Sequence, residues 1–226
     1  MAVHDGHRER LKARFAEYGL ENFNDLNALE LLLFFAIPRR DTNVIAHELL
    51  DRFGSLNGVF DASLRELQDV PGIGSNAALL IRLVPQIMKK NELSKVGEIR
   101  SFRKSSEVAR FLIPRFMNEK EELALLLCLD TGGRLICCEV LNRGVINAVS
   151  ISLRRMVELA LKHKASSVLL SHNHPDGLAM PSREDEAFTS KAKDAMKLID
   201  IELLDHIIIA GDRYFSMRDS GLFNRF

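Results

Sequence analysis

The sequence predicts a small all-helical N-terminal domain followed by a mixed sheet flanked by helices, an α+β or α/β chain in two parts. Three observations carry this. The first half is punctuated by helix caps and stripes of apolar residues. The second half contains continuous apolar runs, such as Leu123 to Leu129 and Ser167 to Ser171, which fit strands buried on both faces. Between those runs lie segments with helical spacing, and strands alternating with helices imply one mixed sheet.

Taken in order, Leu11, Phe15 and Leu20 mark a charged opening helix. Asn24 stands before Asp25 and Leu26 as a cap for the run Ala28 to Ala36, which Pro38, Arg39 and Arg40 end. Asp41 and Thr42 start a helix through Phe53, and Gly54 stops it. Ser63 and Glu66 have the spacing of a capping box. Val70-Pro71-Gly72-Ile73-Gly74-Ser75 then leads into the stripe Ala77, Leu80, Ile81 and Val84. These elements make a helical domain over 1–90. Residues 91–105 are polar and without period, and read as a linker. The second domain, 106–226, opens with a helix from Ser106 to Phe116. Strands follow over Leu123–Leu129, Leu135–Leu141 and Gly144–Ile151, with Asp130 to Gly133 as a turn. A helix over Ser152–Lys164, with His163 on its solvated side, precedes the strand Ser167–Ser171. A helix capped by Ser182 runs to Leu198, and Ile201–Ala210 and Arg213–Met217 complete the sheet.

Composition narrows the function. The 226 residues are 46% hydrophobic and 27% charged, ordinary for a globular protein with a sizeable core. Lys+Arg and Asp+Glu each total 31. That balance excludes nucleic-acid binding by bulk charge, though not by a local patch. No apolar run approaches the roughly 20 residues of a membrane span. Met1 to Arg14 is charged and lacks the apolar stretch of a signal peptide, so the expected location is cytoplasmic. Of the three cysteines, Cys137 and Cys138 are neighbours that face opposite ways on a strand. The absence of Cys-x-x-Cys argues against a disulfide framework or a cysteine zinc site, and reduced buried thiols are expected.

Chemistry concentrates in Ser171-His172-Asn173-His174-Pro175-Asp176-Gly177, followed by Pro181-Ser182-Arg183-Glu184-Asp185. Residues two apart on a strand face one side, so His172 and His174 can converge. Pro175 and Gly177 turn the chain back to a helix with Asp185 in its first turn, where a carboxylate suits the helix dipole. Two imidazoles and a carboxylate leave a fourth tetrahedral position open, the pattern of a catalytic zinc site. Alone, the His-x-His pair also fits two solvated loop histidines.

His-x-His followed by Ser182 and, three residues later, Asp185 resembles the metalloprotease motif of the JAB/MPN (JAMM) domain. The wider text is similar to its bacterial RadC branch. Glu122 leading into Leu-Cys-Leu-Asp, the stretch Leu204-Asp205-His206-Ile207-Ile208-Ile209, and the closing Ser-Gly-Leu-Phe agree. Gly54-Ser55-Leu56 and Val70 to Gly74 match the helix-hairpin-helix region of RadC-like proteins. The chain departs from the family at Leu153-Arg154-Arg155, usually Pro-Arg-Glu, and at Asp176, commonly Ser.

The resemblance implies a zinc-dependent hydrolase of a peptide or isopeptide bond, acting on a peptide or protein substrate. His172, His174 and Asp185 would hold Zn2+, with Glu122 as general acid/base and Ser182 bonding the oxyanion as well as capping its helix. Glu121 and Glu139 are alternative bases, and Glu122 can also be read as one member of a surface acidic cluster with Glu119 and Glu121. Asp205 and His206 would stand behind the metal ligands, or else form a polar pair at a strand register. Gly72, Ile73, Gly74 and Ser75 fit a hairpin whose amides reach a DNA phosphate without reading sequence. Asp69 before it and the lack of Lys or Arg after it favour packing or partner binding equally. Two other functions compete: a DNA-associated repair or recombination accessory protein, and a non-catalytic metal-binding interaction domain.

Overall fold

The computed structural model describes residues 5–96, 101–144, 152–175 and 177–225. It divides into two compact units, Met1–Met88 and Lys89–Phe226.

The first unit is helical: α1 (Asp5–Tyr18), α2 (Asp25–Phe34), α3 (Thr42–Phe53), α4 (Leu56–Asp61), α5 (Leu64–Gln68) and the start of α6 (Ser75–Val96). Local chemistry sets its boundaries. The Asn24 side chain accepts from the Asn27 amide and Asp41 from that of Asn43, each satisfying an orphan N–H of a first turn. Gly54 closes α3 in the left-handed region at φ 77°. Ser63 and Glu66 form the reciprocal capping box. The core joins Leu29, Leu33, Leu49, Val59, Leu67 and Ile81. Helix α6 continues to Val96, through residues whose polarity read as linker. No Gly or Pro interrupts Gln86 to Val96, and Lys, Glu and Leu are good helix formers, so polarity there marks a solvated face.

The second unit adds α7 (Ser105–Phe116), β1 (Leu123–Leu129), β2 (Leu135–Arg143), α8 (Leu153–Lys162), β3 (Ser167–Asn173), α9 (Arg183–Lys197), β4 (Glu202–Ala210) and β5 (Arg213–Ser216), then a 3-10 turn, Leu222–Arg225. The strand order is β2-β1-β3-β4-β5. Only β3 and β4 are parallel, joined through α9; the other neighbours are antiparallel. One face packs on α8 and α9 through Leu126, Met156, Leu170 and Ala192. The other packs on α7 through Leu112, Leu127 and Ile207. With both faces covered, β1 and β3 are buried at every position, which is why their sequences run apolar rather than alternating. The strand expected over Gly144–Ile151 lies outside the described residues except for Gly144, which ends β2 at φ 104°. Asp176 also lies outside them.

Candidate metal centre

The end of β3 delivers two histidines to the head of α9. His172 is on the strand and buried; His174 follows it, half-buried, where the loop leaves the sheet. Their Nε2 atoms stand 2.9 Å apart. Asp185 reaches both, with Oδ1 3.3 Å from His172 Nε2 and Oδ2 3.7 Å from His174 Nε2. The three side chains bring one ligand atom each within 4.8 Å of one another.

Hydrogen-bond partners fix which ring nitrogens are free. His174 Nδ1 lies 3.0 Å from the Leu178 carbonyl, which only accepts, so Nδ1 carries the proton and Nε2 keeps its lone pair. His172 is fixed through a longer chain. The Thr189 hydroxyl donates to the Asp185 carbonyl at 2.6 Å and accepts from His206 Nδ1 at 2.6 Å. His206 Nε2 is then an acceptor and takes the His172 Nδ1 proton at 2.8 Å. His206 is fully buried, and burial, joined by the neighbouring His172, holds its pKa well below the ordinary histidine value, so it stays neutral. Both metal-facing nitrogens are therefore acceptors.

Asp185 is held as a carboxylate. Burial opposes its ionisation, but the adjacent His172 and His174 rings and the hydrogen bonds from Ser182 outweigh that and keep its pKa far below the ordinary range. Ser182 caps α9, accepting from the Asp185 amide at 3.1 Å, while its own N–H and hydroxyl donate to Asp185 Oδ2 at 2.8 and 2.6 Å. The His174 pKa is raised, first by its bond to Asp185 and in smaller part by the charge of Glu122.

The strand register brings Glu122 to the same end of the sheet: β1 and β3 are antiparallel with Ala124 opposite His172, so Glu122 comes across from His174. Glu122 is half-buried immediately before β1, and its carbonyl accepts from Gly144. Asn173, between the two histidines, clasps it from both sides. Its Oδ1 accepts from the Leu123 amide at 2.7 Å, and its Nδ2 donates to the Glu121 carbonyl at 3.2 Å. Glu121 is exposed, and Glu139 is paired with His163 on β2, two strands from His172. His163 is itself mostly covered, a correction to its solvated reading, because Glu139 draws it onto the sheet.

His206 backs the site, but Asp205 does not, contrary to its expected place behind the ligands. Neighbours on a strand face opposite ways, and Asp205 lies on the α7 side with Ile207. There it accepts from Ser216 Oγ at 2.5 Å and from the amides of Arg218 and His206 at 2.9 and 2.8 Å. It anchors the turn after β5. Thr189 had no motif to announce it, and Asn173 stood inside the His-Asn-His stretch without a role assigned to it; Thr189 lies one helical turn after Asp185, on its face of α9, and that spacing is the signal that could have found it.

In the first unit, Gly72 sits at φ 91°, where an added Cβ would stand 2.7 Å from Ile45 Cδ1. Ile73 is buried in the helical core, and Ser75 begins α6. Packing alone accounts for the first two. The nearby surface hollow at Val70 and Pro71 carries Glu48 and Asp51 beside Arg52.

The donor set now meets a comparison. A family profile described as RadC-like JAB domain matches residues 102–222, from before α7 to the closing turn. The chain belongs to this RadC-like JAB family. Two relatives extend the match over nearly the whole length. A UPF0758 protein of Fusobacterium nucleatum is 33% identical over 224 residues, covering 96% of this chain and 97% of its own. One of Variovorax paradoxus is 34% identical, covering 98% and 97%. The JAB match takes in β1, β3 and α9, and with them Glu122 just before β1, His172 on β3, His174 just after it and Asp185 on α9 of this RadC-like chain. Among the described residues no helix is long and apolar enough to cross a membrane.

The residues fit a divalent metal. Two Nε2 lone pairs and a carboxylate converge with no donor between them, an arrangement that repels itself until a cation neutralises it. Nitrogen and oxygen donors in this ratio suit a zinc-class ion with an open position.

Proposed function

We propose that the chain is a zinc-dependent hydrolase of a peptide or isopeptide bond, working in the cytoplasm. The observation that carries this reading is the convergence of His172, His174 and Asp185, with Leu178 on one ring's far nitrogen and the His206–Thr189 pair behind the other's, so that both Nε2 atoms are turned toward Asp185. The free thiols of all three cysteines agree with a reducing compartment.

His172, His174 and Asp185 would hold the zinc, which would supply Lewis acidity and an acidified water. The protein's own part is proton handling and orientation. Glu122 accepts the proton of the attacking water on its carboxylate and returns it to the leaving amine nitrogen, so the carboxylate ends each turnover as it began. Asn173 keeps that carboxylate aimed by fixing the backbone on either side of it. Ser182 orients Asp185 through its hydroxyl, and by turning that hydroxyl would donate to the developing oxyanion.

The test is a peptide and isopeptide substrate screen on zinc-loaded wild type beside Glu122→Gln. The reading expects turnover in wild type and a loss of at least about 100-fold in Glu122→Gln with metal retained. Equal activity in the two proteins, or no turnover from fully loaded wild type, would count against it.

A further inference from the structure

A second convergence of ligand-type side chains lies away from the His172 site. Cys137 and Glu139 are two apart on β2 and so share a face, the one that packs on α8. His163 closes the C-terminal end of α8. Its Nε2 is 3.1 Å from Glu139 Oε1, and one ligand atom from each of the three lies within 4.8 Å of the others. Strand registers separate the two places. Cys137 pairs with Cys128, and Cys128 with Val168, four residues before His172 on β3. That offset, with two strand spacings, sets the clusters roughly 15 Å apart.

We propose that Cys137, Glu139 and His163 form a second metal site, for a divalent zinc-class ion, that ties strand β2 to the end of helix α8. The donor set is a sulfur, an imidazole nitrogen and a carboxylate oxygen, which suits zinc or cobalt and not magnesium or calcium. Ligand atoms around a tetrahedral zinc stand roughly 3.3–3.8 Å apart, so closing this trio needs a shift of about 1 Å or less in side chains that are already half-buried. The Cys128 thiol, fully buried behind Cys137, hydrogen-bonds its sulfur and favours the thiolate. Without a cation the Cys137 thiol is held up by burial and by the charge of Glu139, and Lys162 only partly offsets this. A bound cation reverses that balance. The site needs no Cys-x-x-Cys, because strand pairing and a helix end supply the third ligand.

The full chain, kept reduced, stripped with chelator and reloaded with Co2+, tests this apart from the first site. The His172 site has no sulfur ligand, so a thiolate-to-cobalt charge-transfer band in the near ultraviolet reports Cys137 alone. The band is expected in wild type and in the double variant His172→Ala/His174→Ala. It is expected to vanish in Cys137→Ser, which keeps its cobalt at the first site, and to need at least about tenfold more Co2+ in His163→Ala. Absence of the band from wild type, or its survival in Cys137→Ser, would overturn the proposal. Retained cobalt absorption of the first site shows that Cys137→Ser is folded.

Discussion

Thr189 and His206 do for His172 what a backbone carbonyl does for His174: each holds the far ring nitrogen and leaves Nε2 free. Thr189→Val keeps the shape of the side chain and removes the acceptor for His206 Nδ1. Zinc affinity, measured by competition with a chelator, should fall about 10- to 100-fold. The stability loss should stay near 1–3 kcal/mol, the cost of one stranded buried donor. Asp205 gives a pH-dependent prediction. Burial raises its folded pKa, although Ser216 and the Arg218 and His206 amides favour the charge. The folded chain therefore binds that proton more tightly than the unfolded chain. The stabilisation is full below the ordinary carboxyl range and is lost as pH rises through the raised value. As pH rises above the ordinary carboxyl range, wild type should lose stability relative to Asp205→Asn in urea unfolding. A relative gain over that rise would mean that the three hydrogen bonds outweigh burial.

At the scale of elements, the functional geometry comes from where β3 ends against β1. Asn173 is the join. Asn173→Ala leaves the Leu123 amide and Glu121 carbonyl without their partner and should cost about 1–3 kcal/mol. In an active preparation its kcat should fall with KM nearly unchanged, because Glu122 loses its aim while substrate contacts persist. In the helical unit, Gly72→Ala forces a Cβ into the left-handed region and onto Ile45, and should lower stability by about 1–3 kcal/mol in thermal unfolding of the full chain. The caps at Asn24, Asp41, Ser63 and Ser182 were legible because capping is a local bargain between a side chain and an amide three residues away at most. The extent of α6 was not legible, because solvated helix and linker share a composition.

Across the whole molecule, the sequence carried the mixed sheet, since strands buried on both faces run apolar and stand out. It also carried the convergence of His172, His174 and Asp185, because His-x-His and a first-turn Asp lie within one short stretch. What it could not carry were contacts made across the sheet. Thr189 meets His206 from another element, Asn173 meets the backbone beside Glu122 fifty residues away, and His163 meets Glu139 from α8 to β2. Asp205 was misplaced for a related reason: adjacent to His206 in sequence, it faces the other side of the strand. Elemental analysis tests the central claim most directly, on reduced, zinc-reconstituted wild type, His172→Ala/His174→Ala and Glu122→Gln. The account predicts that the double histidine variant holds one zinc fewer per chain and that Glu122→Gln holds as much as wild type. An unchanged zinc content in the histidine variant would contradict it.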